Sequence, residues 1–375
     1  MAGVVLLAMA PGQEWVDALL GIWEAGDAAA PIDPRTPTAH RDALTRALLA
    51  TAVVEDDGER RALDGGRSTA DGDALVMATS GTSGDPKAVV LTHEALAVAA
   101  RITAAGARSD DGSTWLACLP LHHMGGFGVV SRAVLTGAGL VVQPGVDPDA
   151  IDAVRDVVTH TSLVPAALDR VEVSSFEAVL LGGSAIPADR PANCIATYGM
   201  TESAGGVVYD GRPLDGVEVR AADDGELLLR SPTLLRCYRD GRVPLDAAGW
   251  YSTGDLGLVE PDGTVVVLGR ADDVVVTGGE KVWPGPVEDR LRRHPGVADV
   301  AVVGRPHPRW GQAVTAVVVP VDRLHPPPLD ELRELVRQEL PAFAAPHELE
   351  VVEQLPRTSL GKVGRAHLRR TPPRR

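Results

Sequence analysis

The densest group of reactive side chains in the sequence is Ala78-Thr79-Ser80-Gly81-Thr82-Ser83-Gly84-Asp85-Pro86-Lys87. Hydroxyls and glycines crowd together there, so that backbone N–H groups can approach phosphate oxygens while Lys87 adds a positive charge. The chemistry this serves is phosphate cradling. It is not the Walker loop, because no G-x-x-x-x-G-K-[ST] occurs and the apolar run that follows, 88–92, reads as a strand rather than a helix. From composition alone such a stretch is more often a plain Ser/Thr/Gly turn. Two further residues invite chemistry. Arg132 interrupts an otherwise apolar, helix-like run over 127–135, where a guanidinium is costly to bury unless an anion meets it; the alternative is an arginine that reaches out to solvent. His123, in Leu119-Pro120-Leu121-His122-His123-Met124-Gly125-Gly126, is either a ligand-facing imidazole or a packed core residue.

The elements that must position these groups follow from periodicity. Short Val-rich runs at Val4–Ala8, 74–78, 88–92, 115–119, 140–142, 161–164 and Ala178–Leu181 alternate with helix-like stretches, the rhythm of an α/β domain with a largely parallel sheet. From about residue 217 the pattern changes to closely spaced strands punctuated by Asp-Gly pairs at 210–211, 224–225, 240–241 and 262–263, which predict antiparallel hairpins. After Gly269 a third texture mixes strands at 300–303 and 314–320 with helices at 284–293 and 329–340. The second of these helices places Leu329, Leu332, Leu335, Val336 and Leu340 on one face, as a small α+β unit requires. The boundary is expected at 270/271, giving a large domain over 1–270 and a small one over 271–375.

Composition excludes several classes of partner. Lys plus Arg number 36 and Asp plus Glu 51, a net charge of −15 that repels nucleic acid and anionic membrane surfaces. A bound anion such as ATP then needs locally placed cations, backbone donors or a metal ion. Cys118, Cys194 and Cys237 lack metal-ligand or disulfide spacing and read as small buried hydrophobes of a reducing compartment. No uncharged apolar stretch of about 18 residues occurs, and the apolar start lacks the basic front of a secretory signal. A cytoplasmic enzyme of small molecules is the expectation.

Five stretches, in order, resemble the signatures of the adenylate-forming superfamily of acyl-CoA synthetases, adenylation domains and luciferases. They are the loop at 78–87, Thr197-Tyr198-Gly199-Met200-Thr201-Glu202-Ser203, Gly249-Trp250-Tyr251-Ser252-Thr253-Gly254-Asp255, Leu268-Gly269-Arg270-Ala271-Asp272-Asp273 and Leu355-Pro356-Arg357-Thr358-Ser359-Leu360-Gly361-Lys362. The resemblance implies a large N-terminal domain of sheets with helices plus a β-barrel-like subdomain, and a small mobile α+β C-terminal domain. It also implies ATP, Mg²⁺ and coenzyme A. Lys362 is then the ammonium that neutralises charge on the α-phosphate and the attacking carboxylate. Glu202, with Thr82, holds the metal, while Thr201, Thr79, Ser80, Gly81, Ser83, Gly84 and Lys87 meet the phosphates. Tyr198 stacks on adenine beside Gly199, Met200 and the Gly182-Gly183-Ser184 turn. Asp255 and Arg270 take the ribose and phosphate region, Asp272 is the hinge, and Gly278 and Gly279 line the channel for the pantetheine arm. One site is thereby expected to carry out two reactions, adenylation and then thioester formation.

A closer resemblance is to the o-succinylbenzoate–CoA ligases of menaquinone biosynthesis. It rests on Leu-Pro-Leu-His-His at 119–123, Thr161-Ser162-Leu163-Val164-Pro165, the block from Gly205 to Val217 and the block from Ala271 to Gly279. It implies His123 at the substrate gate and Arg132 on the free carboxylate of a dicarboxylic acid, with Ser162 and Ser184 as helpers. The chain departs from that pattern at Ala166-Ala167-Leu168, where the family commonly has Thr-Gln-Leu. Its segment before the phosphate loop is also short, which removes wall that in longer relatives shapes specificity and homodimer contacts. Another small aryl- or acyl-CoA ligase, or an adenylation enzyme loading a carrier protein, are the alternatives. A non-catalytic AMP sensor is disfavoured because Lys362 and Glu202 are both present.

Overall fold

A computed structural model of the chain describes residues 2–79, 87–184, 186–187, 189–357 and 363–370. The chain divides into two compact units, Met1–Val219 with Leu229–Tyr251, and Arg220–Leu228 with Ser252–Arg375.

The first unit contains two seven-stranded sheets. In one, Val4–Ala8 lies between Ala28–Pro31 and Ala52–Glu55, all parallel, and every residue of Val4–Ala8 is buried. Burial on both faces is why that strand reads as an unbroken apolar run rather than an alternation. The same sheet continues through Asp73–Thr79 to Lys87–Thr92 and the two-residue strand Cys237–Tyr238, with these last pairings antiparallel. In the second sheet, Gly139–Val142, Thr114–Ala117, His160–Leu163, Ala178–Leu181 and Cys194–Met200 run parallel, and Gly205–Tyr209 and Arg212–Pro213 close the edge antiparallel. Both sheets are therefore mixed, with parallel centres and antiparallel margins. The Asp210-Gly211 pair turns the last hairpin with φ of +46° and +76°, the left-handed pair that a tight two-residue hairpin demands.

Two helices join the site to this framework. His93–Gly106 starts from Thr92, whose side-chain oxygen accepts from the Ala95 N–H at 3.1 Å, a capping bond that satisfies one free helix donor. Met124–Thr136 is held by edge-on contacts of Phe127 with Trp15 and Trp23. A Cβ on Gly126 would meet the Leu119 and Pro120 carbonyl oxygens at 2.4 Å, so the first turn of this helix can pack on the preceding loop only as glycine.

A four-stranded sheet of Glu218–Ala221, Glu226–Arg230, Tyr251–Val259 and Val265–Arg270 lies mostly within the second unit. A five-stranded sheet follows, dominated by the long antiparallel pair Val297–His307 and Gly311–Pro320 and covered by helices Pro284–Leu291 and Leu329–Arg337. Val287, Leu291, Val300, Val302, Leu332 and Val336 form its core, where Leu332 and Val336 occupy the predicted apolar face. Among the described residues no helix is long and apolar enough to cross a membrane.

Candidate active site

In an open sheet with parallel strands, ligands bind beyond the carboxyl ends of the strands. The segments that the sequence singles out leave the second sheet at that edge. Gly182-Gly183-Ser184 follows Ala178–Leu181, and the Thr201–Ser203 turn follows Cys194–Met200. The adjacent strand His160–Leu163 carries Ser162, 9% exposed. The loop holding His122 and His123 follows Thr114–Ala117 and runs into helix Met124–Thr136, for which His123 is the N-cap residue. The two imidazole rings lie 4.4 Å apart, and burial holds the His122 imidazole below its ordinary pKa.

Close backbone approach explains the glycines. Gly183 has φ +88°, and a Cβ on Gly182 would meet Thr197 Oγ1 at 2.7 Å; that hydroxyl donates to the Leu181 carbonyl at 2.8 Å. At Gly199 a Cβ would lie 1.9 Å from the Gly205 carbonyl oxygen, so the two strands meet there only without a side chain. A register shift falls between Tyr198 and Gly199, a bulge that re-aims the side chains after it. The turn itself is tied by Ser203. Its Oγ accepts from the Met200 N–H at 3.0 Å and lies 2.8 Å from the Gly205 carbonyl oxygen. Thr201 and Glu202 thus project from a fixed platform.

The strands that flank the phosphate-loop stretch, Asp73–Thr79 and Lys87–Thr92, pair antiparallel, and Thr79 lies opposite Lys87. Thr79 Oγ1 donates to the Lys87 carbonyl at 3.4 Å. Ser80, Gly81, Thr82, Ser83 and Gly84 lie outside the described residues. The Lys87 ammonium sits 5.7 Å from the centre of the Tyr238 ring, and the Tyr238 hydroxyl donates to Glu202 Oε1 at 3.1 Å. The first unit thereby connects Thr79, Lys87 and Glu202. Tyr238 is the member of this group that the sequence did not disclose.

Arg132 stands apart from that edge. Its guanidinium is 4.3 Å from the Trp115 ring, and Nε donates to Thr103 Oγ1 at 2.8 Å. The Trp115 ring is 4.8 Å from that of His160, and both residues lie at the amino ends of their strands. The residue is 6% exposed, and its Nη1 has no hydrogen-bond partner among the described residues. Burial pulls its pKa down from the usual guanidinium value. The fold therefore brings His123, Ser162, Ser184 and Glu202 to one edge and sets Arg132 in a core layer toward the other.

The second unit holds the remaining predicted residues. Asp255 and Arg270 face each other on paired strands, with Arg270 Nη1 donating to Asp255 Oδ1 at 3.2 Å and to the Thr253 carbonyl at 2.9 Å. Asp272 lies in the short 3-10 turn Ala271–Asp273. Gly278 and Gly279, with φ of +58° and +90°, turn the hairpin between Val275–Thr277 and Glu280–Val282, and the Gly278 N–H donates to the Trp310 carbonyl at 2.9 Å. Lys362 lies outside the described residues, but both flanks are anchored. Arg357 bridges to Val363 and pairs with Asp299; beyond it, Arg365 donates to both oxygens of Glu288 at 2.7 and 2.6 Å.

Comparison with known proteins places this geometry in a class. Residues 58–239 match the family model described as AMP-binding enzyme, and residues 286–362 the one described as AMP-binding enzyme C-terminal domain. The fold also matches that of o-succinylbenzoate CoA synthetase (MenE) from Bacillus subtilis in complex with the acyl-adenylate intermediate OSB-AMP. The TM-score is 0.85 at 24% identity, over 99% of this chain and 89% of that one. Two curated relatives narrow the assignment. The chain is 41% identical over 360 residues to a probable 2-succinylbenzoate–CoA ligase of Mycobacterium tuberculosis, covering 88% of this chain and 89% of the relative. It is 30% identical over 327 residues to the 2-succinylbenzoate–CoA ligase of Listeria monocytogenes, covering 79% and 69%. The chain belongs to the 2-succinylbenzoate–CoA ligase family of the adenylate-forming enzymes.

Proposed function

We propose that the chain is an AMP-forming acid–thiol ligase that converts o-succinylbenzoate, ATP and coenzyme A to o-succinylbenzoyl-CoA, AMP and pyrophosphate, a step of menaquinone biosynthesis. Family membership at 41% identity is the observation that carries this reading. In the first half-reaction a carboxylate oxygen of the acid bonds to the α-phosphorus of ATP and pyrophosphate leaves. In the second, the thiolate of coenzyme A bonds to the acyl carbon, the acyl–phosphate bond breaks and AMP departs.

Each assigned residue has a physical task. The carboxylate and the phosphates repel, so the chain must supply positive charge where they meet, and Lys87 and Lys362 are the ammonium groups assigned to it. Glu202 and the hydroxyls of Thr201 and Thr82 are hard oxygen donors, which suit Mg²⁺ shared with phosphate oxygens better than a soft metal. When bound, that ion neutralises phosphate charge. Tyr198, Gly182, Gly183, Ser184, Gly199 and Met200 form the adenosine wall, and Asp255 accepts from the ribose with Arg270 beside it. His123, Ser162 and Ser184 face the acid. Asp272 is the hinge between a body over 1–270 and a lid over 271–375, and the Gly278-Gly279 turn admits the thiol after rotation.

A second reading, a ligase of a related aryl acid, is favoured by one observation: Arg132 is packed against Trp115 rather than set at the edge with His123 and Ser162. A panel of acids separates the two. The full chain with ATP, Mg²⁺ and coenzyme A should release pyrophosphate with o-succinylbenzoate and yield its CoA thioester by mass. Turnover of benzoate-type monocarboxylates with none of o-succinylbenzoate would replace the first reading by the second.

A further inference from the structure

Tyr238 belongs to none of the motifs assigned above, yet it touches three of them. It sits on the Cys237–Tyr238 strand, paired antiparallel with Val89 of the strand that opens at Lys87, and is 5% exposed. Its hydroxyl is 3.1 Å from Glu202 Oε1 and 3.2 Å from the hydroxyl of Tyr251, while its ring lies under the Lys87 ammonium at 5.7 Å. The Arg242 guanidinium is also over the ring, at 5.1 Å. Backbone bonds fix the segment from both sides: the Leu235 N–H donates to the Glu202 carbonyl at 2.7 Å, and the Arg236 N–H to the Val90 carbonyl at 2.9 Å. The segment therefore spans from the hairpin strand of the first sheet to the carboxylate turn of the second.

Proton count sets the direction of this chain. A phenol has one hydrogen, and the carboxylate is the stronger acceptor, so Tyr238 donates to Glu202 and Tyr251 donates to the Tyr238 oxygen. A carboxylate free to rotate presents its oxygens over an arc; one oxygen fixed by a donor leaves the group a single orientation. The ring face attracts the Lys87 ammonium, within the ~6 Å over which such contacts act.

We propose that Tyr238 is a positioning residue for acyl-adenylate formation, its hydroxyl orienting the Glu202 carboxylate for the metal while its ring holds the Lys87 ammonium toward the phosphates. The inference rests on the reading of Glu202 as the metal-binding carboxylate. The test measures ATP–pyrophosphate exchange as a function of Mg²⁺ in the full chain, with whichever acid of the panel supports turnover, for the wild type, Tyr238→Phe, Tyr251→Phe and Glu202→Gln. Loss of a hydrogen bond to a charged group predicts exchange lowered about tenfold or more in Tyr238→Phe. Half-saturation should need several-fold more Mg²⁺, with a smaller shift in the same direction for Tyr251→Phe. A merely structural tyrosine would lower the melting temperature and leave the Mg²⁺ half-saturation where it was. Wild-type Mg²⁺ dependence in Tyr238→Phe beside an impaired Glu202→Gln overturns the positioning role alone. Wild-type Mg²⁺ dependence in Glu202→Gln overturns the reading beneath it. Should Tyr238→Phe fail to melt cooperatively, Tyr251→Phe carries the test, and an unmoved half-saturation there rejects the proposal.

Discussion

Replacing Arg132 by methionine keeps an unbranched stem in the layer between helices His93–Gly106 and Met124–Thr136 while removing the charge. The guanidinium gains a charge-assisted bond to Thr103 Oγ1 at 2.8 Å and the face of Trp115 at 4.3 Å. Those contacts are worth about 1.5–3 and about 2 kcal/mol when desolvated. Against them stands the cost of burying a cation whose Nη1 finds no partner among the described residues, an effective penalty of several kcal/mol. The opposing terms are of equal size, so Arg132→Met should leave stability within about 2 kcal/mol of the wild type. Arg132→Ala also loses the stem and opens a cavity, at a cost of about 2–5 kcal/mol. At roughly 2–4 °C per kcal/mol for a unit of this size, the alanine variant should melt about 4–20 °C below the methionine variant. The assay pairs calorimetric melting with the KM for o-succinylbenzoate, which should stay within about twofold in Arg132→Met, less than the factor of 10 that a single lost contact worth 1.4 kcal/mol gives. A methionine variant with wild-type melting and a KM raised tenfold or more would show that the side chain grips the acid, and the core placement would be refuted.

Three other outcomes follow from the same geometry. Lys362→Ala should abolish pyrophosphate exchange yet still pass a supplied acyl-adenylate to coenzyme A; survival of both half-reactions would sink the assignment of that ammonium to adenylation. Gly278→Val places a β-branched residue at φ +58°, a conformation costing such residues about 1–2 kcal/mol, so thioester formation should slow about tenfold relative to adenylation, and equal slowing of both steps would exclude a role in admitting the thiol. His160 is fully buried, with Nε2 on the Ala107 carbonyl and Nδ1 on Thr159, and burial lowers its pKa below the ordinary imidazole value. The unfolded chain then binds the proton more readily than the folded one. The stabilisation present above the ordinary value of about 6.5 is lost as pH falls from there toward the depressed folded pKa. His160→Gln should flatten that part of the stability–pH curve in denaturant titrations, and an unchanged slope would show that the imidazole is not held neutral.

How much of this could be read in the sequence depends on the range over which each feature is encoded. Ala178–Leu181 falls where the apolar run puts it, because a short strand buried on both faces is specified by a few adjacent residues. The Asp-Gly pairs mark turns because only their own φ values matter. Helix Leu329–Arg337 stops three residues short of the expected end at 340, since the chain must leave the helical region before Pro341. Tyr238 was invisible for the opposite reason: its hydroxyl partner Glu202 is 36 residues away, and a two-residue strand has no period to detect. For Arg132 the cost of burial was legible, but not its resolution, because the ring that meets it comes from a strand rather than from its own helix.

Helix Gln13–Glu24 bears on the arrangement of the proposed site. Trp15 and Trp23 from helix Gln13–Glu24 both meet Phe127 edge-on at 6.4 Å, and Trp23 also contacts the His93 ring at 5.3 Å. The indole Nε1 of Trp23 donates to the Ala74 carbonyl at 2.9 Å, on the strand that leads into the hairpin. One helix thus packs on the element that begins after His123 and on the strand that ends at Thr79. In a chain with only 3% aromatic residues, placing three of them at this junction concentrates packing where two site segments must keep a fixed separation.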